Sequence, residues 1–395
     1  MDYRLTTRME GAQASIIREL LKMAALPGMI SFGGGAPDYR GFPKEFVKQV
    51  ADDAFTNQSK SVLGYGISEG YPPFVESLKK HLQDKEKLDF AENEVLILSG
   101  GQQCADLTAK LFVNEGDTVL VENPSFVGVM NAFRSYGANL KSIPLEEDGV
   151  DLTALEDAFK AGPVSLFYMI STFQNPSGIT TSGAKRKAVY ELAKKYDVIV
   201  FEDNPYGELR YEGEWIPAMK TLDTDGRVIY TGSFSKTIAP GMRIGFLVYA
   251  KALHTKFKIA KQAVDVHSST LYQMVCHEML TKDLYDSHVS AQRAGYYKKM
   301  KLMDEAMKAC FHPDMTWHRP EGGLFIQTKL PEGMDSLPFV NEAVKRKVIT
   351  VPGSAFLTNQ EDKSNAIRLN FSLPSEEDIE KGVEILGKLS YEILG

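Results

Sequence analysis

Cysteine is scarce in this chain of 395 residues. The three present, Cys104, Cys276 and Cys310, stand far apart and form no CxxC pair. That excludes a disulfide scaffold and reads as free thiols in a reducing compartment. Histidine is also sparse: the seven are scattered, no two at metal-ligand spacing, so no metal is expected. A surplus of positive charge is missing, since 45 Lys and Arg face 52 Asp and Glu for a formal net charge of −7. Nucleic acid and an anionic membrane surface both demand such a surplus, and neither is expected as a partner. No apolar run approaches the roughly 18 residues that span a bilayer. The opening MDYRLTTRME lacks the apolar core of a secretory signal, so a cytoplasmic location is expected. Neither G-x-G-x-x-G nor a Walker sequence occurs, which disfavours a dinucleotide or a nucleoside triphosphate.

What is present is the composition of an ordinary globular protein, 43% hydrophobic and 25% charged. Its length exceeds what one core usually supports, so two domains are expected. Short apolar runs alternate with amphipathic stretches, the pattern of an α/β fold. Strands are expected at Glu94 to Ser99, Thr118 to Glu122, Asn139 to Pro144, Val164 to Ile170, Asp197 to Asp203, Arg227 to Gly232 and Arg243 to Tyr249. Helices are expected at Gln102 to Val113, Ser125 to Ser135, Ser182 to Lys195, Ala291 to Ala309 and Glu376 to Leu394. A further helix lies in GAQASIIRELLKMAAL, with Ser15 as a plausible cap. Between Gly232 and Met242 only eleven residues, rich in Ser, Pro and Gly, join two strands. A parallel crossover usually needs a dozen or more, so RIGFLVY is expected to run antiparallel to its neighbours, with the connecting loop at a sheet edge or end. The centre reads as a large domain and the two ends as joining in a smaller one.

That loop carries Lys236, in TGSFSKTIAPGMRIG. A lysine amine condenses with carbonyl cofactors once deprotonated. Ser233, Ser235 and Arg243 stand close by as a phosphate-binding set, because Arg engages phosphate oxygens in pairs. Alone, the loop reads more readily as a solvated Ser-rich turn with two ordinary surface cations. Asp203 ends the apolar run DVIVFED, and carboxylates at strand ends in open parallel sheets face the ligand crevice. There it could hold a pyridine nitrogen protonated and make the ring an electron sink, with Tyr206 within reach of the same ring; the ordinary reading is a turn residue before Asn204-Pro205. Asn175, in STFQNPSG, follows another apolar run and offers an amide, though Asn-Pro is also a turn signal. In EVLILSGGQQ, Gly100, Gly101 and Gln102 open a helix whose free N–H groups suit a phosphate. Arg368, inside the apolar run AIRLNFS, is either a structural Arg–Asp pair or a clamp on a carboxylate.

In series, SGGQQ, QNPSG, FEDNPY, SFSK, GMRIG and IRLNF resemble the aspartate-aminotransferase superfamily of pyridoxal 5′-phosphate (PLP) enzymes. The stretch ASIIRELLKMAALPGMISFGGGAPD is closest to its kynurenine/2-aminoadipate aminotransferase branch. The resemblance implies fold type I: a large domain (45–285) with a mixed, mostly parallel seven-stranded sheet, and a smaller α+β domain (1–44 and 286–395). It implies that Lys236 carries PLP as an imine and that Asp203 pairs with the pyridine nitrogen. Tyr206 and Asn175 would meet the ring's 3-oxygen, and Phe126, in ENPSFVG, would stack on the ring. Gly100, Gly101, Gln102, Ser233, Ser235 and Arg243 would surround the phosphate. Tyr65, in LGYG, would reach the phosphate of a neighbouring subunit in a homodimer with shared sites. Arg368 would bind the substrate carboxylate, with Gly35 nearby. Arg18, in the N-terminal helix, reads as a solvated cation or, alternatively, as a contact for an acidic side chain such as that of 2-aminoadipate. Phe126 and Gly101 depart from the Tyr and Ser of many relatives. The implied reaction moves an amino group from an L-amino acid (aromatic, kynurenine or 2-aminoadipate) to a 2-oxoacid, 2-oxoglutarate first among them. A β-lyase, decarboxylase or racemase would use the same residues. An aminotransferase-like transcription regulator would carry an additional N-terminal DNA-binding domain, for which the sequence shows no room.

Overall fold

A computed structural model describes Thr6, residues 16–24 and residues 26–395. Helix α1 (Ile16–Ala24) falls in the expected N-terminal stretch, while its proposed cap Ser15 lies outside the described residues. Strand β1 (Ile30–Ser31) and helices α2 (Lys44–Asn57), α3 (Ser59–Leu63) and α4 (Pro72–Glu86) follow. The alternating region then runs β2 (Asn93–Leu98), α5 (Gly101–Phe112), β3 (Thr118–Asn123), α6 (Val127–Arg134), β4 (Asn139–Glu146), β5 (Gly149–Val150) and α7 (Leu152–Lys160). It continues with β6 (Leu166–Ile170), α8 (Gly183–Lys195), β7 (Ile199–Asp203), β8 (Val228–Ser233) and β9 (Gly245–Ala250). Ser182 caps α8 by accepting from the Lys185 N–H, as a short hydroxyl before a helical run should.

These strands form one sheet in the order β2-β9-β8-β7-β6-β3-β4-β5. It has eight strands, not seven. The additional member is β5, which pairs antiparallel with the end of β4 after a tight turn at Glu147–Asp148 and begins on Gly149 at φ 126°. Two residues are too few to carry a readable alternation. From β4 across to β8 the five central strands are parallel, whereas β9 runs antiparallel to both β8 and β2. The short β8–β9 connection holds only a 3-10 turn at Pro240–Met242, so it reverses direction instead of crossing over. It is not at a sheet edge: β2 lies outside β9, and the loop sits at the carboxyl end of β8.

The central strands read as almost continuous apolar runs because both faces are covered. On one face Leu120, Phe167, Met169 and Val200 pack under α7 and α8. On the other, Val121, Tyr168 and Phe201 join residues of α5 and α6 such as Leu107 and Phe133 in the larger core.

Beyond the sheet come α9 (His254–Val264), α10 (Thr270–Thr281) and the 27-residue α11 (Leu284–Cys310). Strands β10 (Thr316–Trp317), β11 (Phe325–Lys329), β13 (Val351–Pro352) and β14 (Ala366–Asn370) form a second, antiparallel sheet in the order β10-β11-β14-β13. Helix α12 (Ser336–Lys345), strand β12 (Val348–Ile349) and the closing α13 (Glu376–Leu394) complete the chain. Strand β1 pairs with β12, and Asn370 N–H donates to Phe32 O, so the N-terminal segment is stitched to the C-terminal one. Those pairings bring Gly33 to Ala36 beside β14.

Leu247, fully buried in β9, should cost roughly 3 kcal/mol when cut to Ala, because the cavity left behind refills poorly. Leu337→Ala, at an exposed position of α12, should stay within about 0.5 kcal/mol. Shifts in the urea midpoint check both; equal shifts would contradict the placement of β9 in the core.

Candidate active site

The carboxyl ends of β7 and β8 and the loop after β6 converge on one open cavity of about 460 Å³, closed on its far side by β14 and the Gly34–Ala36 segment. Asp203 is the last residue of β7. Its Oδ2 accepts from the Tyr168 hydroxyl at 2.9 Å, and burial pushes its carboxyl up to about 7 against the opposing pull of Tyr168 and Lys236. It caps no turn. Tyr206 is buried beside Asn175, its ring edge-on to Phe325 at 5.9 Å, and burial raises its phenol well above the ordinary value.

Lys236 Nζ donates to the Gly35 carbonyl at 2.8 Å. Burial, then the positive Arg368 and Arg243, lower its amine to about 8, while Asp203 opposes them. A neutral fraction of amine near physiological pH is what a nucleophile or proton acceptor requires.

Arg243 holds a left-handed backbone at φ 54°, an uncommon conformation for a side chain beyond glycine. Its guanidinium donates to Ser99 O at 3.1 Å and Pro240 O at 3.2 Å, with Ser235 Oγ at 3.5 Å. The group lies directly over Gly100, where a Cβ would sit 2.3 Å from Nη2; at φ 82° that residue has to be glycine. Gly101 begins α5, and a Cβ there would meet nothing within 4 Å. Gly101 and Gln102, at the helix end whose N–H groups lack intrahelical partners, line the cavity together with the Arg243 guanidinium, a combination suited to an anion. Ser233 Oγ accepts from Ser235 N–H at 3.1 Å and fixes the turn below them. Gln102 Nε2 donates to Gly128 O at 2.8 Å, and the Phe126 ring packs so closely on Gly128 that a Cβ there would lie 2.7 Å away.

Arg368 is buried on β14 and pairs with no carboxylate among the described residues, so within them it is not a structural Arg–Asp pair. Nη1 donates to Asn175 Oδ1 at 2.9 Å and Nη2 to Gly33 O at 2.7 Å, while Nε has no partner among the described residues. Its guanidinium lies 4.4 Å from the Phe325 ring centre and 4.9 Å from that of Phe356. Burial lowers its pKa to about 10. Cation–π contacts offset part of the desolvation, but a planar fork with a free donor remains to be matched.

Gly35, Gly101, Gln102, Phe126, Asn175, Asp203, Tyr206, Ser233, Ser235, Lys236, Arg243 and Arg368 all line this cavity. Gly100 stands just behind it. Tyr65 does not reach it: the residue is 93% exposed, edge-on to His267 at 6.2 Å. Arg18 belongs to α1, and its side chain lies outside the described residues. Sequence reasoning missed Gly34, Ala36, Val129, Ile170 and Leu373, which also line the walls, and Tyr168, which holds Asp203. It also missed Glu122, a buried carboxyl raised to about 8 by burial that accepts from Ile170 N–H and Gln174 Nε2 behind the Asn175 loop. The one signal for these two was a polar group inside an otherwise apolar run.

A family model described as aminotransferase class I and II matches residues 27–386. The chain is 36% identical over 383 residues to aromatic-amino-acid aminotransferase 1 of Thermococcus litoralis, covering 96% of this chain and 92% of that one. The crystal structure of Pyrococcus horikoshii kynurenine aminotransferase, in complex with PMP, superposes with a TM-score of 0.95 at 36% identity, covering 99% of this chain and 98% of that one. The α-aminoadipate aminotransferase LysN of Thermus thermophilus, complexed with N-(5′-phosphopyridoxyl)-L-leucine, gives a TM-score of 0.90 at 33% identity, with the same coverage. With a family match over most of its length, these relatives and this cavity, the chain belongs to the class I and II aminotransferases, enzymes that work with pyridoxal 5′-phosphate.

Proposed function

We propose that this aminotransferase moves the amino group of an L-amino acid with an apolar or aromatic side chain to a 2-oxoacid, 2-oxoglutarate being the acceptor, in a ping-pong cycle. The observation that carries the reading is the charge of the cavity. Among the described residues Lys236, Arg243 and Arg368 line it against the single carboxylate of Asp203, and a phosphate monoester together with an α-carboxylate supplies the missing negative charge. The open Gly101 turn and the unpartnered Arg368 Nε stand at the two places where those anions belong.

PLP, when bound, supplies an aldehyde that condenses with amines and a ring that draws electrons from the bond being broken. Arg243, Ser233, Ser235 and the first turn of α5 would hold its phosphate. Asp203, kept in place by Tyr168, would pair with the ring nitrogen and favour its protonated form. Asn175 and Tyr206 would donate to the ring oxygen, and Phe126 would stack on the ring. Arg368 would clamp the α-carboxylate of the amino acid. Lys236 would bear the aldehyde, and its amine would take the proton from the substrate Cα atom at close range. Val129, Ile170 and Leu373 offer apolar surface to the substrate side chain, and the bare backbone of Gly34 and Gly35 leaves it room. Kynurenine and 2-aminoadipate, named for relatives, are separated from simple aromatic donors by the same donor screen.

Residues 45–285 form the cofactor-binding domain in this reading, and 1–44 with 286–395 the smaller one. The exposed Leu63, Tyr65 and Ile67 would meet a second copy in a homodimer, with Tyr65 reaching the partner's phosphate site. Among the described residues no helix is long and apolar enough to cross a membrane, in keeping with a cytoplasmic enzyme.

Two outcomes are expected. Acylation of Lys236 in the cofactor-free protein should accelerate as pH rises through about 8, where its amine loses the proton, well below the range of ordinary lysines. Arg368→Gln should move that midpoint upward by removing a like charge; peptide-resolved labelling rates check it, and a midpoint near 10.5 in the unmodified protein would contradict the site's electrostatics. In a panel of L-amino acids and 2-oxoacids, product oxoacid should match consumed acceptor one for one, and Arg368→Gln should lower kcat/KM about 100-fold for every donor. Ammonia released without an acceptor would instead mark a β-lyase.

A further inference from the structure

Behind the turn that opens α5 lies a polar hub, centred on a buried lysine, that the proposed chemistry leaves unused. Lys261, on α9, has no exposed surface. Its Nζ donates to Gln103 Oε1 at 2.8 Å and to Ser268 Oγ at 2.9 Å, and pairs with Asp265 Oδ1 at 2.7 Å. The second oxygen of Asp265 accepts from Gln103 Nε2 at 2.9 Å and from Ser99 Oγ at 3.1 Å. Ser99 Oγ also lies 3.1 Å from Ser268 Oγ, and its backbone N–H donates to Gln103 Oε1 at 2.8 Å. Ser99 is therefore held through main chain and side chain at once.

What Ser99 does with that rigidity is visible on its other side. Its carbonyl accepts from Arg243 Nη2 at 3.1 Å. The two residues after it are Gly100, on which the guanidinium rests, and Gly101, which opens the helix toward the cavity. Among the described residues Arg243 pairs with no carboxylate, so its aim is set by the Ser99 and Pro240 carbonyls and by Ser235. Lys261 is buried while the Asp265 side chain is 32% exposed, so the pair adds little net stability, but it does impose direction. Here the direction is that of two anion-binding elements at once.

We propose that the Lys261–Asp265 pair is a positioning element for the anion-binding end of the site, aiming the Arg243 guanidinium and the first turn of α5 at a phosphate monoester that it never touches. This rests on the reading that this end receives the cofactor's phosphate. The pair acts as the outer support of a binding group does elsewhere, by fixing the orientation of what makes contact.

The test compares PLP with pyridoxal, which has the same ring and aldehyde but no phosphate. Full-length protein freed of cofactor is titrated with each, following the absorbance of the imine at Lys236, and inorganic phosphate is added as a competitor. Asp265→Asn should weaken PLP about tenfold or more, raise the phosphate concentration needed for competition by a similar factor, and leave pyridoxal within about twofold. Lys261→Met should do the same. Equal weakening of PLP and pyridoxal would reduce the hub to a general structural role, and unchanged PLP affinity would remove it altogether; either overturns the proposal. Should the charge variants fail to fold by circular dichroism, Ser268→Ala, which deletes one neutral member, is read the same way: a PLP-selective loss of about threefold supports the proposal and no selective loss overturns it. Wild-type protein that binds neither aldehyde at Lys236 would sink the functional reading and this inference together, whereas a normal wild type with an unaffected variant sinks the inference alone.

Discussion

The Lys236 amine shares its cavity with the guanidinium groups of Arg243 and Arg368, and burial, then these like charges, hold its pKa near 8. Among the described residues only Asp203 opposes them. An enclosure with more cations than carboxylates is unfavourable when empty, since buried charge must be paired or lose its proton. It becomes favourable when anions enter. The same imbalance that keeps the lysine partly neutral therefore selects a doubly anionic cofactor and a carboxylate-bearing substrate, so reactivity and recognition have a common electrostatic origin.

The fold delivers that imbalance from distant parts of the chain. Parallel strands β6, β7 and β8 end side by side, which places the Asn175 loop, Asp203 and the Lys236 turn in register along one rim. The reversal at β9 returns the chain so that Arg243 lies over the end of β2. Arg368 comes from the second sheet, and its bond to Asn175 Oδ1 joins the two sheets across the cavity. Lys236 makes a parallel link through the Gly35 carbonyl. A substrate carboxylate that engages Arg368 would compete for these bonds, so binding is coupled to how the two sheets sit against each other.

All seven expected strands exist, and the antiparallel course of β9 followed from the length of a single loop. Lys236, Asp203 and Asn175 were legible because each follows an apolar run, where a change from apolar to polar marks a strand end. Gly34, Ala36 and Leu373 were not, for they reach the cavity only through the pairing of β1 with β12 and the Phe32–Asn370 bond, long-range contacts without a local sequence mark. Tyr168 escaped notice because a tyrosine in a core strand is usually there for its ring; its hydroxyl finds Asp203 from the neighbouring strand. Lys261 could not be picked out in the sequence, because a lysine on a helix is usually solvated; only the packing of α9 behind Ser99 buries it against Gln103 and Ser268.

The claim on which all of this depends is that one amine, and no other, forms a reducible bond with the cofactor's aldehyde. Treating the PLP-loaded protein with borohydride, digesting it and mapping the peptides by mass spectrometry tests it directly. A single pyridoxyl adduct on Lys236 is the result expected. An adduct on a different lysine, or none on a protein that has taken up the cofactor, would contradict the account.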